Sequence, residues 1–204
     1  MKLVAGLGNP GEKYRCTRHN IGYLVLSELA VRYAVGCRPR AKFHGDMLDI
    51  RDKQGNQVIL LCPTTYMNES GTSVSEALRF YKIPFEDLLV VSDDLNLPFG
   101  QLRLRSEGSS GGQKGLGDII RKAGTEKFPR LRVGIGSPPG RMDAADYVLM
   151  NFTEKERSDL AVVLKEAADA VECFLAFGIT EAMNRFNKTA KTDKAKTRPV
   201  RDSK

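Results

Sequence analysis

Histidine and cysteine are scarce in this chain. Its 204 residues include only two histidines and four cysteines. The cysteines are scattered and form no C-x-x-C pair: Cys16, Cys37, Cys62 and Cys173. The spacing of a zinc site is therefore missing, and disulfides are not expected. The composition excludes a zinc framework and indicates a reduced, cytoplasmic protein.

Long hydrophobic runs are also absent. Hydrophobic residues make up 41% of the chain, which is enough for a substantial core. No apolar run approaches the roughly 18 residues of a membrane span. The N-terminus leads straight into a strand pattern and lacks the regions of a signal peptide. We therefore expect one large domain without a membrane partner.

Two common catalytic or phosphate-binding motifs are missing. The glycine-rich segment 108–117 is not a P-loop, because Gln113 precedes Lys114 and no Ser or Thr follows. Its backbone amides, with the charge of Lys114, still suit an anion. No serine stands in a G-x-S-x-G elbow, so a serine nucleophile is not indicated.

A dinucleotide fingerprint is present only in part. Gly6, Gly8 and Gly11 match G-x-G-x-x-G after an apolar run. However, Pro10 indicates a turn where a Rossmann motif would start its helix. The nearest acidic candidate for a ribose, Glu28, falls inside a helical pattern rather than at a strand end. A dinucleotide site is therefore disfavoured.

Positive charge is in excess and is unevenly placed. Five of the seven net positive charges lie in residues 188–204, which hold seven Lys or Arg and two Asp. Because Val200 is the one large apolar residue there, we expect a folded domain over 1–187 and a disordered basic tail. Such a tail suits either contact with RNA phosphates or solubility, and composition does not decide between them. Weaker support for an RNA partner comes from basic clusters at 38–42, 103–105 and 130–132.

Strand and helix patterns alternate along the domain. Apolar runs and alternation predict strands at 2–6, about 43–51, 57–62, 88–92, 101–105 and 131–136. Amphipathic spacing predicts helices at 18–35, 70–82, 115–124, 154–177 and 180–187. This order predicts an α/β fold, a single-domain three-layer sandwich whose mixed, twisted sheet carries helices on both faces. Ligands of such sheets sit beyond the carboxyl ends of strands.

Polar side chains follow three of these predicted strands. Asn9 and His19 follow the first, Asn68 follows the strand 57–62, and Asp93 follows the strand 88–92. A histidine and an aspartate at one edge form a base in which the carboxylate fixes the tautomer and steadies the imidazolium. Water would then be the nucleophile, and the asparagines suit an oxyanion or orient the water. A nucleophile made of Cys16 and His19 is a less favoured alternative, since nothing in that loop activates the thiol.

Six longer motifs then follow one another along residues 1 to about 187. They are G-L-G-N-P-G-x-x-Y at 6–14, T-R-H-N-x-G at 17–22, P-x-T-Y-M-N-x-S-G at 63–71, D-D-L-x-L-P-x-G at 93–100, G-S-S-G-G-x-x-G-L at 108–116 and R-V-G-I-G at 132–136. In this order and spacing they resemble the bacterial-type peptidyl-tRNA hydrolase family. The resemblance implies hydrolysis of the ester that joins a peptide to the 3′ end of tRNA.

The resemblance also implies roles for individual residues. His19 would activate water, Asp93 would stabilise its protonated form, and Asn9 would distinguish a blocked peptidyl amide from a free amino group. The substrate site would further include Tyr14, Tyr66 and Asn68. No metal or cofactor is implied, and the family usually acts as a monomer. Phosphates of the tRNA would meet the basic surface and the tail.

One departure from the family pattern lies in the glycine-rich loop. Relatives commonly have His-Asn where this chain has Gln113-Lys114, and the family's Asn there contacts substrate. Lys114 is the residue placed to take over that contact, although a lysine donates hydrogen bonds and cannot accept them.

Two other classes of function compete with an esterase on peptidyl-tRNA. One is a non-catalytic RNA-binding module that kept the fold, but such a module would be expected to lose His19 or Asp93, and both are present. The other is a hydrolase of free peptides, which would not need the basic surface.

Overall fold

Seven strands form one mixed sheet in the computed structural model, which describes residues 1–187. They are β1 (Lys2–Gly6), β2 (Arg40–Lys42), β3 (Gly45–Arg51), β4 (Gln57–Pro63), β5 (Leu88–Asp94), β6 (Leu102–Arg105) and β7 (Arg130–Gly134). Their order across the sheet is β2-β3-β4-β1-β5-β7-β6. The inner strands β4, β1, β5 and β7 run parallel, whereas the outer strands run antiparallel to their neighbours. The predicted mixed sheet is confirmed.

Helices cover both faces of this sheet. They are α1 (Ile21–Tyr33), α2 (Ser70–Tyr81), α3 (Lys114–Ala123), α4 (Ala144–Val148) and α5 (Glu154–Phe186). One core cluster joins α1 and α5 to the sheet, and a second joins α2 and α3 to its other face. Within α5, Gly178 has non-helical angles of φ 82 and ψ 178, close to where the sequence predicts two separate helices. The three-layer α/β sandwich is confirmed.

Alternation in the central strands explains why there are two cores. In β1, Leu3 and Ala5 belong to the cluster with α2 and α3, while Val4 belongs to the cluster with α1 and α5. Both faces of such a strand are apolar, so the strand is stable only when helices cover both sides. In β5 the polar residues Ser92, Asp93 and Asp94 come only at the carboxyl end, after four apolar residues.

The clearest departures from the predicted elements are β2, α4 and the end of β5. β2 is a separate short strand that the sequence did not predict, because its three residues are all exposed and show no apolar alternation. α4 has five residues, too few for a helical period to be recognised. β5 continues through Asp93 and Asp94, which pair with β7, whereas the apolar pattern predicts that the strand ends at residue 92. Pairing with a neighbouring strand overrides the low strand propensity of aspartate there.

Two further expectations concern the membrane and the chain end. Within residues 1–187, no helix is both long and apolar enough to cross a bilayer. The expected basic tail, 188–204, lies outside the described residues.

Candidate active site

Parallel strands bring the predicted polar residues to one edge of the sheet. A cleft of about 780 Å³ opens there, beyond the carboxyl ends of β1, β4 and β5. Six of the seven predicted site residues line it: Asn9, His19, Tyr66, Asn68, Asp93 and Lys114. The seventh, Tyr14, is half-buried in a 3-10 turn beneath the Lys13 ammonium and does not line the cleft.

The centre of this cleft is a contact between His19 and Asp93. The Nδ1 atom of His19 lies 2.7 Å from Oδ2 of Asp93, and both side chains are nearly buried, with 11% and 3% exposed. A carboxylate accepts hydrogen bonds, so this contact assigns the proton to Nδ1. Nε2 is then the nitrogen with a free lone pair, which is the state that a general base requires.

The other oxygen of Asp93 is held by Gln113, a residue that the sequence marked only as a departure. Its Nε2 donates to Oδ1 of Asp93 at 3.1 Å, and its Oε1 accepts the amide of Leu116 at 2.7 Å as the N-cap of α3. The helix end therefore fixes which way the Gln113 amide points. Glutamine is not a favoured N-cap residue, so its position before a helix gave no signal of this role.

Asp94 has different partners from its neighbour. Its Oδ2 lies 2.6 Å from Arg132, and its Oδ1 accepts the amide of Asn96. Consecutive residues of a strand point to opposite sides, so only one of the two aspartates can face His19. The structure selects Asp93.

Asn9 is fixed in orientation by the loop that follows β4. Its Oδ1 accepts the backbone amide of Met67 at 2.9 Å, and its own backbone makes two hydrogen bonds with the side chain of Asn20. The Nδ2 group of Asn9 is therefore the donor that remains for the cleft. Met67 and Asn20 thus position a predicted site residue, although nothing in their spacing had indicated it.

The turn that carries His19 is anchored by the residue before it. Arg18 is buried, stacks on the rings of Tyr147 and Phe152, and forms two hydrogen bonds of 2.7 Å with Glu156. Glu156 also completes the capping box of α5 with Thr153. Hydrogen bonds from Arg18 lower the pKa of Glu156 to about 2. The start of α5 and the turn of His19 are therefore one polar unit.

We expect Glu156→Gln to lower the free energy of unfolding by about 3 kcal/mol at pH 7, because it leaves the buried Arg18 without its anion. The carboxyl pKa is lower in the folded state than the ordinary 4.5. The stabilisation is therefore complete above that value and is lost as the pH falls towards about 2. Urea unfolding of both proteins at pH 7 and pH 3 measures it.

Glu154→Gln is the matched control, since that side chain is exposed and lies 3.9 Å from Arg157. It should leave stability nearly unchanged at either pH. An equal loss for Glu156→Gln at both pH values would contradict a role for its charge.

The structure also shows where the alternative nucleophile, Cys16, lies and whether potential metal ligands come together. Cys16 is exposed and does not line the cleft, so the structure does not bring its thiol to His19. All four cysteines are free. Within residues 1–187, no three His, Cys, Asp or Glu side chains meet as a potential metal site.

The site residues stand in a chain that is similar throughout to known proteins. The family model described as peptidyl-tRNA hydrolase matches residues 3–195, which runs past the domain end expected at 187. A relative from Rhodopirellula baltica named peptidyl-tRNA hydrolase is 51% identical over 192 residues, covering 94% of this chain and all of the relative. One from Chloroflexus aurantiacus with the same name is 50% identical over 188 residues, covering 92% and 99%.

A solved structure agrees with this similarity. Peptidyl-tRNA hydrolase from Acinetobacter baumannii superposes with a TM-score of 0.84 at 36% identity, covering 92% of this chain and 94% of that one. The match of the family model over nearly the whole described chain, together with relatives of about half identical sequence, leads to one conclusion: the chain belongs to the peptidyl-tRNA hydrolase family.

Proposed function

We propose that this chain hydrolyses the ester between peptide and tRNA with a water molecule activated by His19. The observation that carries the mechanism is the 2.7 Å contact between His19 Nδ1 and Asp93. Nε2 removes a proton from water as the water oxygen attacks the ester carbonyl carbon. The tetrahedral intermediate then breaks its bond to the ribose oxygen, which receives the proton from Nε2. The products are the peptide carboxylic acid and free tRNA.

The charges that develop in this reaction have matching groups in the site. Asp93 stabilises the imidazolium of His19, and its own charge is buried with two hydrogen-bonded partners. The Nδ2 group of Asn9 is oriented towards substrate by Met67 and suits the blocked amide of the peptide. Asn68 is exposed at the cleft and donates to the oxyanion. Tyr66 lines the cleft and contacts the rest of the substrate, whereas Tyr14 lies outside the cleft and could be reached only by a part of the substrate that extends beyond it.

The phosphates of the tRNA bind to positively charged side chains. Lys114 and Arg132 both line the cleft, and Lys114 is the first residue of α3, whose N-terminus favours anions. The tail 188–204 adds charge for non-specific contact with phosphates. We propose that the enzyme acts as a monomer, as the family resemblance implies. A substrate made in translation places the enzyme in the cytoplasm.

The direct test is release of N-acetyl-aminoacyl groups from tRNA by the purified protein. We expect release from the N-blocked substrate and little from aminoacyl-tRNA with a free amino group. A non-catalytic RNA-binding module would bind both and release neither. A general peptide hydrolase would instead cleave free N-acetyl peptides at a comparable rate, and either result would contradict the proposal.

For Lys114, the expected role is binding of a tRNA phosphate. Lys114→Ala should raise KM several-fold at low salt with little change in kcat, because a charge that binds substrate and transition state equally alters only KM. The difference should shrink at high salt. Lys127→Ala removes the same charge from an exposed residue that does not line the cleft, and should have no effect. Unchanged KM for Lys114→Ala would show that it is only a solvated lysine.

A further inference from the structure

A cluster of three aromatic rings, of which Phe80 is exposed and Phe43 and Tyr81 are half-buried, lies outside the cleft, where the hairpin of β2 and β3 meets the end of α2. The rings of Phe43, Phe80 and Tyr81 lie with centroids 4.9 to 5.6 Å apart. Phe80 is 61% exposed, and the ammonium of Lys42 lies 3.9 Å from its ring centre. The ammonium covers part of the ring, yet most of the Phe80 surface remains in water, and an exposed aromatic ring next to positive charge is a surface on which a nucleic acid base can stack.

The surroundings of this cluster are strongly basic. Five exposed cations stand on the segment 38–42 and at the end of α2: Arg38, Arg40, Lys42, Arg79 and Lys82. Together with the aromatic residues Phe43, Phe80 and Tyr81, they form what we call the hairpin patch. Within residues 1–187, none of the five forms an ion pair. The segment 38–42 is one of the basic clusters that the proposed mechanism leaves unused.

Strand register turns Asp46, an acid of the hairpin, away from Arg40. Arg40 pairs with Met47, which belongs to the core on the α2 side, whereas Ala41 pairs with Asp46. Side chains of directly paired residues share a face and alternate along the strand, so Asp46 points to the opposite face. Glu76 lies 3.6 Å from His44 at the tip of the hairpin. The patch therefore keeps most of its positive charge.

The hairpin lies on the same edge of the sheet as the active site. The carbonyl of His44 accepts the amide of Thr64 at 2.8 Å, and Thr64 starts the loop that carries Tyr66 and Asn68. β2 is three strand positions from β1, a separation of about 15 Å. A tRNA whose 3′ end reaches His19 has the length to touch both surfaces.

We propose that the hairpin patch is a second RNA-binding surface, on which phosphates meet the cations and an unpaired base stacks on Phe80. This inference rests on the proposed function, because it assigns the patch to the RNA of the same substrate. Cations without ion pairs bind phosphate and release counterions, and the exposed ring adds affinity that salt does not screen. The patch contributes to substrate binding and leaves the chemical step unchanged.

Two variants separate the charge from the ring. Arg40→Glu with Arg79→Glu should weaken binding of deacylated tRNA about tenfold at low salt and lower the slope of log affinity against log salt by about 2. Phe80→Ala should weaken binding about fivefold with the slope unchanged, since base stacking carries no net charge. Fluorescence anisotropy with labelled tRNA over a salt series measures both.

The control carries the same charge change on another face. Lys155→Glu with Lys165→Glu alters two exposed lysines of α5, which packs on the opposite side of the sheet. It should reduce tRNA affinity far less than the patch variant does. All three variants should cleave a minimal substrate, an N-acetyl-aminoacyl ester of the CCA trinucleotide, at the wild-type rate, which shows that the fold and the active site are intact.

Three outcomes would overturn the inference. The first is that both patch variants bind tRNA with the affinity and the salt slope of the wild type. The second is that the α5 control loses as much tRNA affinity as the charge variant of the patch. A KM raised only for substrates with long peptides, with tRNA affinity unchanged, would assign the patch to the peptide instead. If the wild-type protein cleaved neither N-acetyl-aminoacyl-tRNA nor the trinucleotide ester, that result would contradict the proposed function. The anisotropy data would still test whether the patch binds RNA.

Discussion

His19→Ala should lower kcat for N-acetyl-aminoacyl-tRNA by about 10²–10⁴-fold or more, because it removes the group that accepts the proton of water. The loss should fall on kcat, with KM changed little, since the imidazole acts in the transition state. The protein should remain folded, because Asp93 keeps its hydrogen bond from Gln113. Single-turnover rates with excess enzyme measure the chemical step directly.

The other histidine of the chain supplies the control. His44 is exposed, does not line the cleft and has a φ of 51, so His44→Asn is the substitution that its left-handed backbone tolerates. We expect its kcat to be near that of the wild type. Near-normal turnover by folded His19→Ala would rule out His19 as the base.

Asp93→Asn should lower kcat by about 10³–10⁴-fold with little change of shape. Gln113 decides how the introduced amide is oriented. Its Nε2 donor is held in place by the bond from Leu116 to its Oε1, so the new amide must present its oxygen to Gln113. The NH₂ group of the introduced asparagine then faces His19 Nδ1 and stabilises the tautomer that carries its proton on Nε2. In this tautomer Nε2 has no free lone pair and cannot accept a proton from water.

Reversing one hydrogen bond tests this orientation of the amide. In the double variant Asp93→Asn with Gln113→Glu, the introduced glutamate accepts instead of donating. The amide then turns its oxygen to His19, and kcat should recover by about tenfold, which corresponds to about 1.4 kcal/mol of barrier. Gln113→Glu alone should lower activity, because it sets two carboxylates against each other.

Asp94→Asn is the matched control for both variants. It weakens the ion pair with Arg132 and leaves the contact of His19 untouched, so its kcat should stay within about tenfold of the wild type. A larger loss for Asp94→Asn than for Asp93→Asn would reverse the assignment of the two aspartates. No recovery in the double variant would show that Gln113 does not control the orientation.

Much of the fold was predictable because it depends on local patterns. The continuous apolar runs at 58–62 and 88–91 can be stable only between two helical layers, and the sheet has them at its centre. The strand β2 could not be found in this way. It exists because β3 offers it a partner, and its exposed residues carry no periodic signal.

The residue types of the reaction and the edge at which they gather follow from the sequence by itself, since polar groups after apolar strands have only one edge of a parallel sheet to occupy. Which atoms meet was decided by the tertiary structure. His19 and Asp93 are 74 residues apart, and strand alternation in β5 turns Asp93 rather than Asp94 towards His19. Gln113 reaches Asp93 from the start of α3, and Glu156 anchors Arg18 from the start of α5. Such contacts depend on how elements that are distant in the chain pack together, and sequence patterns do not encode the distances between those elements.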